Sequence, residues 1–296
     1  MKLIKPSFLI KEQEPGLEGI YKQIEWAGRH CYKSLDKITE DSAKEFVDRM
    51  IKSGHGAMLE HGTVYLNIHW ENETHEVFDN MFKFYNENPY SKIVRKITNA
   101  EDLCPDLFIS TNYRVLVEHN RFNDLKYLCE PTEYHEKRIT VKFITDQGIL
   151  REFTRHRVFS FAVESTRYCN YSKNRFSNEV TFIQPNWISD EDVKDYHINY
   201  NYFIDQDNNH ITAVNRFMSA LKNAEYFYME LIKLGWKPQQ ARNILPLATK
   251  CDMIMTGFVS DWKNFFKLRD AASAHPQAQE LAHSLHEAFI QRGLIK

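Results

Sequence analysis

Arg155, His156 and Arg157 stand side by side, and after seven intervening residues come Ser165, Arg167 and Tyr168. Between them lie Val158, Phe159, Phe161, Ala162 and Val163, side chains that favour burial. A run of charge is usually a solvated surface. Arginines interleaved with buried residues instead need anionic or planar partners. A nucleotide offers both, a phosphate dianion for guanidinium forks and a flat polar ring.

Alternation of Ile139, Val141 and Phe143 predicts a strand ending near 146–148. A helix then carries Leu150, Phe153 and Thr154 into the arginine row, which falls on its C-terminal half. A polar loop over 170–178 and a short strand at 180–183 follow. Ile211, Val214, Phe217, Met218, Leu221, Ala224, Tyr228 and Leu231 make one helical stripe closed by Gly235. Pro238 and Pro246 bound a short helix, CDMIMTGFV is a buried strand, and helices at 260–269 and 276–292 end the reading. Upstream, the pattern predicts a strand over 2–10 and a helix over 17–33. A capping box at Ser42–Glu45 opens a helix stopped by Gly54, and a strand carries Val64, Leu66, Ile68 and Trp70. Residues 72–137 predict a helix near 75–86, a strand at 92–98 and a strand-to-helix change near Thr111. They read as an elaboration of one domain spanning 1–296. Without a regular βαβ rhythm, the fold class is α+β, a mixed sheet flanked by long helices.

The spacing RHR, seven residues, Ser-x-Arg-Tyr resembles the signature of the flavin-dependent thymidylate synthases, whose sixth-position serine is Ser160 here. The family pattern has Asn, then Glu or Gln, where this chain has Ala162 and Val163. Glu164, one position on, is expected to take part of that role. GHGAMLEH, Gly54 to His61, is similar to the family's GHxSxLEH loop against the flavin, with Ala57 leaving only backbone contact. ARNILP matches ARxxLP, placing Arg242 on the nucleotide. KLRDAASAHPQAQEL aligns Arg269 with the arginine that activates the uracil ring, and Asn264 with a flavin-contacting asparagine. Phe258, Val259 and Ser260 stand where the family often has Asn-x-Arg.

By that resemblance, dUMP is contacted by Glu152, Arg155, Val163, Glu164, Ser165, Thr166, Arg167, Arg242 and Arg269, with Arg269 catalytic. FAD is contacted by His55, Ala57, Arg155, His156, Arg157, Val163 and Asn264. The implied reaction converts dUMP to dTMP, with 5,10-methylenetetrahydrofolate as carbon donor and FAD, reduced by NADPH, as hydride donor. The implied assembly is a homotetramer with the flavin across a subunit interface. Two rival readings stay open. A flavin-dependent methylase of another pyrimidine nucleotide draws on Ala162 and Val163. A non-catalytic nucleotide-binding protein draws on Ala57, Val163 and residues 258–260.

Composition narrows the field. With 38 basic and 40 acidic residues the chain has no global field for nucleic acid or an acidic membrane. Five scattered cysteines without a C-x-x-C pair read as reduced thiols, not a disulfide framework or zinc site, and no metal is expected. His55 and His61 flank Glu60 without metalloprotease spacing; His61 reads as a core hydrogen-bonding residue. MKLIKPSFLI is too interrupted for a signal peptide, no run reaches the roughly 20 apolar residues of a membrane span, and a cytoplasmic protein is expected.

Overall fold

A computed structural model describes residues 1–97, 105–167, 169–173, 178–194 and 212–295. Tyr168, Cys104, Ile211, the end of the predicted 92–98 strand and part of the 170–178 loop lie outside them. Strands and helices are numbered in chain order.

The strand expected over 2–10 divides at Pro6, which has no N–H for a ladder. β1 (Lys2–Ile4) pairs in parallel with β8 (Thr181–Ile183), while β2 (Ser7–Lys11) joins a different sheet. That sheet is four-stranded in the order β2, β6 (Arg138–Asp146), β9 (Lys250–Phe258), β7 (Ser160–Val163), with every pairing antiparallel. A third sheet orders β3 (Thr63–Ile68), β5 (Asp106–Asn112) and β4 (Lys92–Lys96), also antiparallel. The α+β class holds, and the single mixed sheet resolves into three sheets. Residues 72–137 supply two of the three strands in the last one. β3 stops at Ile68, and Trp70 opens a 3-10 turn instead of ending the strand.

Two cores sandwich the four-stranded sheet. On one face, α1 (Gly16–Cys31), α2 (Ser42–Lys52), α3 (Gly56–Leu59), α4 (His75–Glu87) and α5 (Tyr113–Glu118) bury Ile20, Ile24, Phe46, Phe78 and Tyr85 with Ala162 and Ile254. On the other, α6 (Gln147–Phe153), α10 (Val259–Arg269) and α11 (Pro276–Gln291) bury Phe153, Trp262, Phe265 and Phe289 with Met253 and Met255. β9 is apolar almost throughout because both its faces are covered. A smaller core sets α8 (Ala213–Lys233) and α9 (Pro238–Ala241) over β8 through Phe182, Leu221, Tyr228 and Ala241. The short α7 (Asp190–Lys194) is peripheral. Trp262 and Phe265 are wholly buried, so the aromatics of α10 are core.

The expected capping box at Ser42 does not form. Asp41 holds the N-cap position, while the Ser42 hydroxyl donates to Glu25 (2.8 Å) and accepts from the Thr39 N–H (2.9 Å).

Candidate active site

The arginine row does not lie on a helix. Asp146 caps α6 by accepting the Ile149 N–H at 2.8 Å, and α6 ends at Phe153. Thr154 turns its hydroxyl back to the Leu150 carbonyl at 3.0 Å, a local bond that competes with helix continuation. Arg155 to Val158 then form a tight turn into β7, pinned at both ends by the buried rings of Phe153 and Phe159. Gly257 on β9 admits the Phe159 ring: a Cβ there would sit 2.5 Å from it. The turn buries His156 and exposes Arg155 and Arg157. Neither exposed arginine has a side-chain hydrogen bond or ion pair among the described residues.

Arg269, at the end of α10, is tied to this turn. Its Nε donates to His156 Nε2 (3.0 Å), Nη1 to Glu152 Oε2 (2.9 Å) and Nη2 to the Glu152 carbonyl (2.8 Å). Burial, with the Arg269 charge adding to it, holds His156 down at a pKa of about 4. The imidazole is therefore neutral near pH 7, with Nε2 the acceptor and Nδ1 the protonated nitrogen. His156 thus accepts Arg269 through Nε2 and packs near Phe265, which makes it a support for the arginine. A guanidinium has five N–H groups. Three are used here, leaving one on each terminal nitrogen for a ligand.

Glu164 is not a free replacement for the missing acid. It is buried, and its Oε2 accepts Lys250 Nζ (2.9 Å), Lys33 Nζ (3.1 Å) and the Asp252 N–H (3.1 Å). Lys33 and Lys250 also reach Asp252, and Lys142 lies 3.8 Å from it. Burial alone would raise Asp252, but Lys250, Lys33 and Lys142 override it and hold its carboxyl at about 2. Lys250 is raised: its burial is outweighed by Glu164 and Asp252. Isolated buried charges are costly, so each side of this group needs the other.

Beyond Glu164, Ser165 donates its N–H to Cys31 O at 3.2 Å, and Arg242 Nη1 donates to Thr166 Oγ1 at 2.9 Å. The two segments expected at the nucleotide, 165–167 and 241–246, are therefore brought together. Val163 is half-buried, packed on the second core, with its carbonyl accepting Cys31 Sγ–H; it presents no polar side chain to a ligand. Ser160 is buried and accepts Arg138 Nη2 at 3.3 Å.

Of the residues expected at the flavin, His55 is the exposed residue before α3, its Nδ1 3.2 Å from the Tyr32 hydroxyl. Ala57 and Asn264 are exposed, and α3 packs against β7. His61 is fully buried with Nδ1 2.8 Å from Thr256 Oγ1, and burial drives its pKa to about 3, so it belongs to the core.

Sequence reasoning missed Lys33, Lys142, Lys250, Asp252 and Cys31. The signal available for Lys33 was a helix ending without glycine at its expected left-handed residue. A cleft of ≈ 560 Å³ is lined by Lys33, Glu164, Tyr171 and Lys250 beside the signature segment. A larger cavity of ≈ 710 Å³ lies along β2 and β6 and contains none of the expected site residues. Among the described residues no group of three or more His, Cys, Asp or Glu is placed to hold a metal, and no helix is long and apolar enough to cross a membrane.

Several known proteins are similar to this chain in sequence. The flavin-dependent thymidylate synthase of Haloarcula marismortui is 23% identical over 181 residues, covering 58% of this chain and 67% of that protein. The probable flavin-dependent thymidylate synthase of Paramecium bursaria Chlorella virus 1 is 24% identical over 208 residues, covering 67% and 89%. A crystal structure of the UMP/dUMP methylase PolB from Streptomyces cacaoi, bound with 5-Br dUMP, superposes with a TM-score of 0.42 at 16% identity over 98% of this chain and 93% of that one, too loosely to bear on the site. Residues 132–292 match the family described as thymidylate synthase complementing protein. That span takes in the arginine turn, Arg242 and Arg269, covers more than half of the chain, and makes the protein a member of the thymidylate synthase complementing protein family.

Proposed function

We propose that the protein is a flavin-dependent thymidylate synthase that reductively methylates dUMP to dTMP. In this reading it acts in the cytoplasm as a homotetramer of single-domain chains, residues 72–137 being an elaboration of that domain. The carrying observation is Arg269, fixed by Glu152 and His156 with two N–H groups to spare. Placed against a uracil carbonyl and ring nitrogen, those donors favour negative charge on the ring and make its carbon-5 more nucleophilic. Arg155, Arg167 and Arg242 divide the phosphate and sugar, with Ser165 and Thr166 adding hydroxyls.

The residues present also suit FAD. Arg155 and Arg157 offer exposed guanidiniums to its phosphates, and His55, the Ala57 backbone and Asn264 offer polar contacts to its ring. When bound, FAD reduced by NADPH supplies the hydride, and 5,10-methylenetetrahydrofolate the one-carbon unit. The exposure of Arg155, Arg157, His55 and Asn264 in one chain suits a site completed by neighbouring subunits.

One observation favours a second reading of substrate identity. Where the family pattern has Glu or Gln, this chain has Val163, and the adjacent Glu164 is held by lysines. A pyrimidine nucleotide other than dUMP is the alternative.

An absorbance spectrum of the purified protein tests both. The expected result is an oxidised-flavin spectrum that shifts with dUMP and not with UMP. A larger shift with UMP moves the assignment to the alternative. A protein that stays colourless after incubation with FAD and removal of the excess overturns the flavoenzyme.

A further inference from the structure

Lys33 follows α1 with φ +49°, a left-handed backbone that L side chains rarely adopt. The chain places a lysine where a glycine would be relaxed. Its ammonium enters the Glu164 and Asp252 carboxylates. Two residues earlier, the Cys31 carbonyl accepts the Ser165 N–H and the Cys31 thiol donates to Val163 O at 2.9 Å. On the other side, Glu164 exchanges backbone and side-chain bonds with Asp252: its N–H donates to Asp252 O at 2.8 Å, and its carboxylate accepts the Asp252 N–H. The end of α1 and the start of β9 therefore grip the chain over 163–165, where it enters the segment Ser165–Arg167.

We infer that Lys33 is a positioning residue for the nucleotide-binding segment Ser165–Arg167, acting through Glu164. The ion group makes the exit from β7 rigid, so the Ser165 hydroxyl and the Thr166–Arg242 pair are set before the ligand arrives. Preorganised donors bind without the cost of ordering them. This role rests on the reading of 165–167 as nucleotide-binding, but the grip itself does not.

The test removes the charge without adding backbone strain. Lys33→Gly removes the ammonium and relaxes the left-handed residue, while Lys33→Arg keeps both the charge and the strain. In the flavin-loaded full-length protein, Lys33→Gly is expected to raise the KM for dUMP about tenfold while kcat and the flavin spectrum stay within about twofold. Amide exchange over 163–167 is expected to speed up, and Lys33→Arg to restore both. Unchanged KM and unchanged exchange in Lys33→Gly overturn the role, as does a fall in kcat at constant KM. If Lys33→Gly does not fold, Lys33→Gln removes the charge and keeps most of the side chain. Folded with a raised KM it supports the role; folded with wild-type KM it overturns it. Should the wild-type protein bind no dUMP, the functional reading fails, and the exchange measurement still decides the grip.

Discussion

Arg269 and Arg155 are assigned to the same nucleotide and are built in opposite ways. Arg269 is held on three sides by Glu152 and His156, and its helix is anchored through Trp262 and Phe265. Arg155 stands on an exposed turn with no side-chain partner among the described residues. The first is oriented before any ligand arrives. In the proposed function the second gains its partner on binding. An arginine that acts on a reacting ring must be fixed to be worth its charge, because electrostatic catalysis depends on donors that need not reorganise. An arginine that gathers phosphate tolerates motion.

The largest expected effect breaks the fixed side. Arg269→Ala should lower kcat by about a thousandfold, the scale of losing a preorganised donor, while bound flavin is retained. Near-native turnover would remove the ring-activating role and leave Arg269 as a structural tie between α6 and α10.

The next effect comes from acid. His156 is neutral in the fold and titrates at about 4, against about 6.5 when unfolded. Between those values the unfolded chain binds the extra proton, so stability rises with pH across the window and falls as pH drops from 6.5 toward 4. His30 and His61, also lowered mainly by burial, add in the same direction. Each contributes a slope of at most about 1.4 kcal/mol per pH unit. Denaturant midpoints over this range should show a shallower slope in His156→Gln than in the wild type. Equal slopes would mean that His156 is already open to solvent.

The smallest effect sharpens the open side. Arg155→Ala should weaken dUMP and FAD by about ten- to a hundredfold, the loss of one or two charge-assisted bonds, with an unchanged melting temperature. A melting temperature several degrees lower would show that Arg155 already has a partner in the folded protein, and the contrast with Arg269 would collapse.

How much of this was legible in the sequence depended on range. The 3.6-residue stripe of α8 and the apolar run of β9 are local patterns, and both elements appear where the patterns put them. The spacing of 155–168 was equally local. What periodicity got wrong was the helix-to-turn change at Thr154, where one side-chain bond and two anchoring phenylalanines outweigh the helical pattern of Leu150 and Phe153. β7 was hidden because four residues are too few to show alternation. The capping box at Ser42 failed because Glu25, on a neighbouring helix, claimed its hydroxyl. The ion group of Lys33, Glu164, Lys250 and Asp252 was out of reach for a different reason. Lys33 and Asp252 are 219 positions apart, and the pairing of β7 with β9, together with the packing of α1 against both strands, brings the members together.

The contact between Gly257 and Phe159 has a consequence for how such chains diverge. With the Phe159 ring occupying the space of a missing Cβ, no larger residue can enter position 257 until position 159 shrinks. A lone change at either site opens a void or forces a clash beside the arginine turn. The two positions are bound to change in a fixed order, first a smaller ring partner and then a side chain on the strand. The turn that carries the arginines is thus shaped in part by a buried glycine that lies about a hundred positions away along the chain.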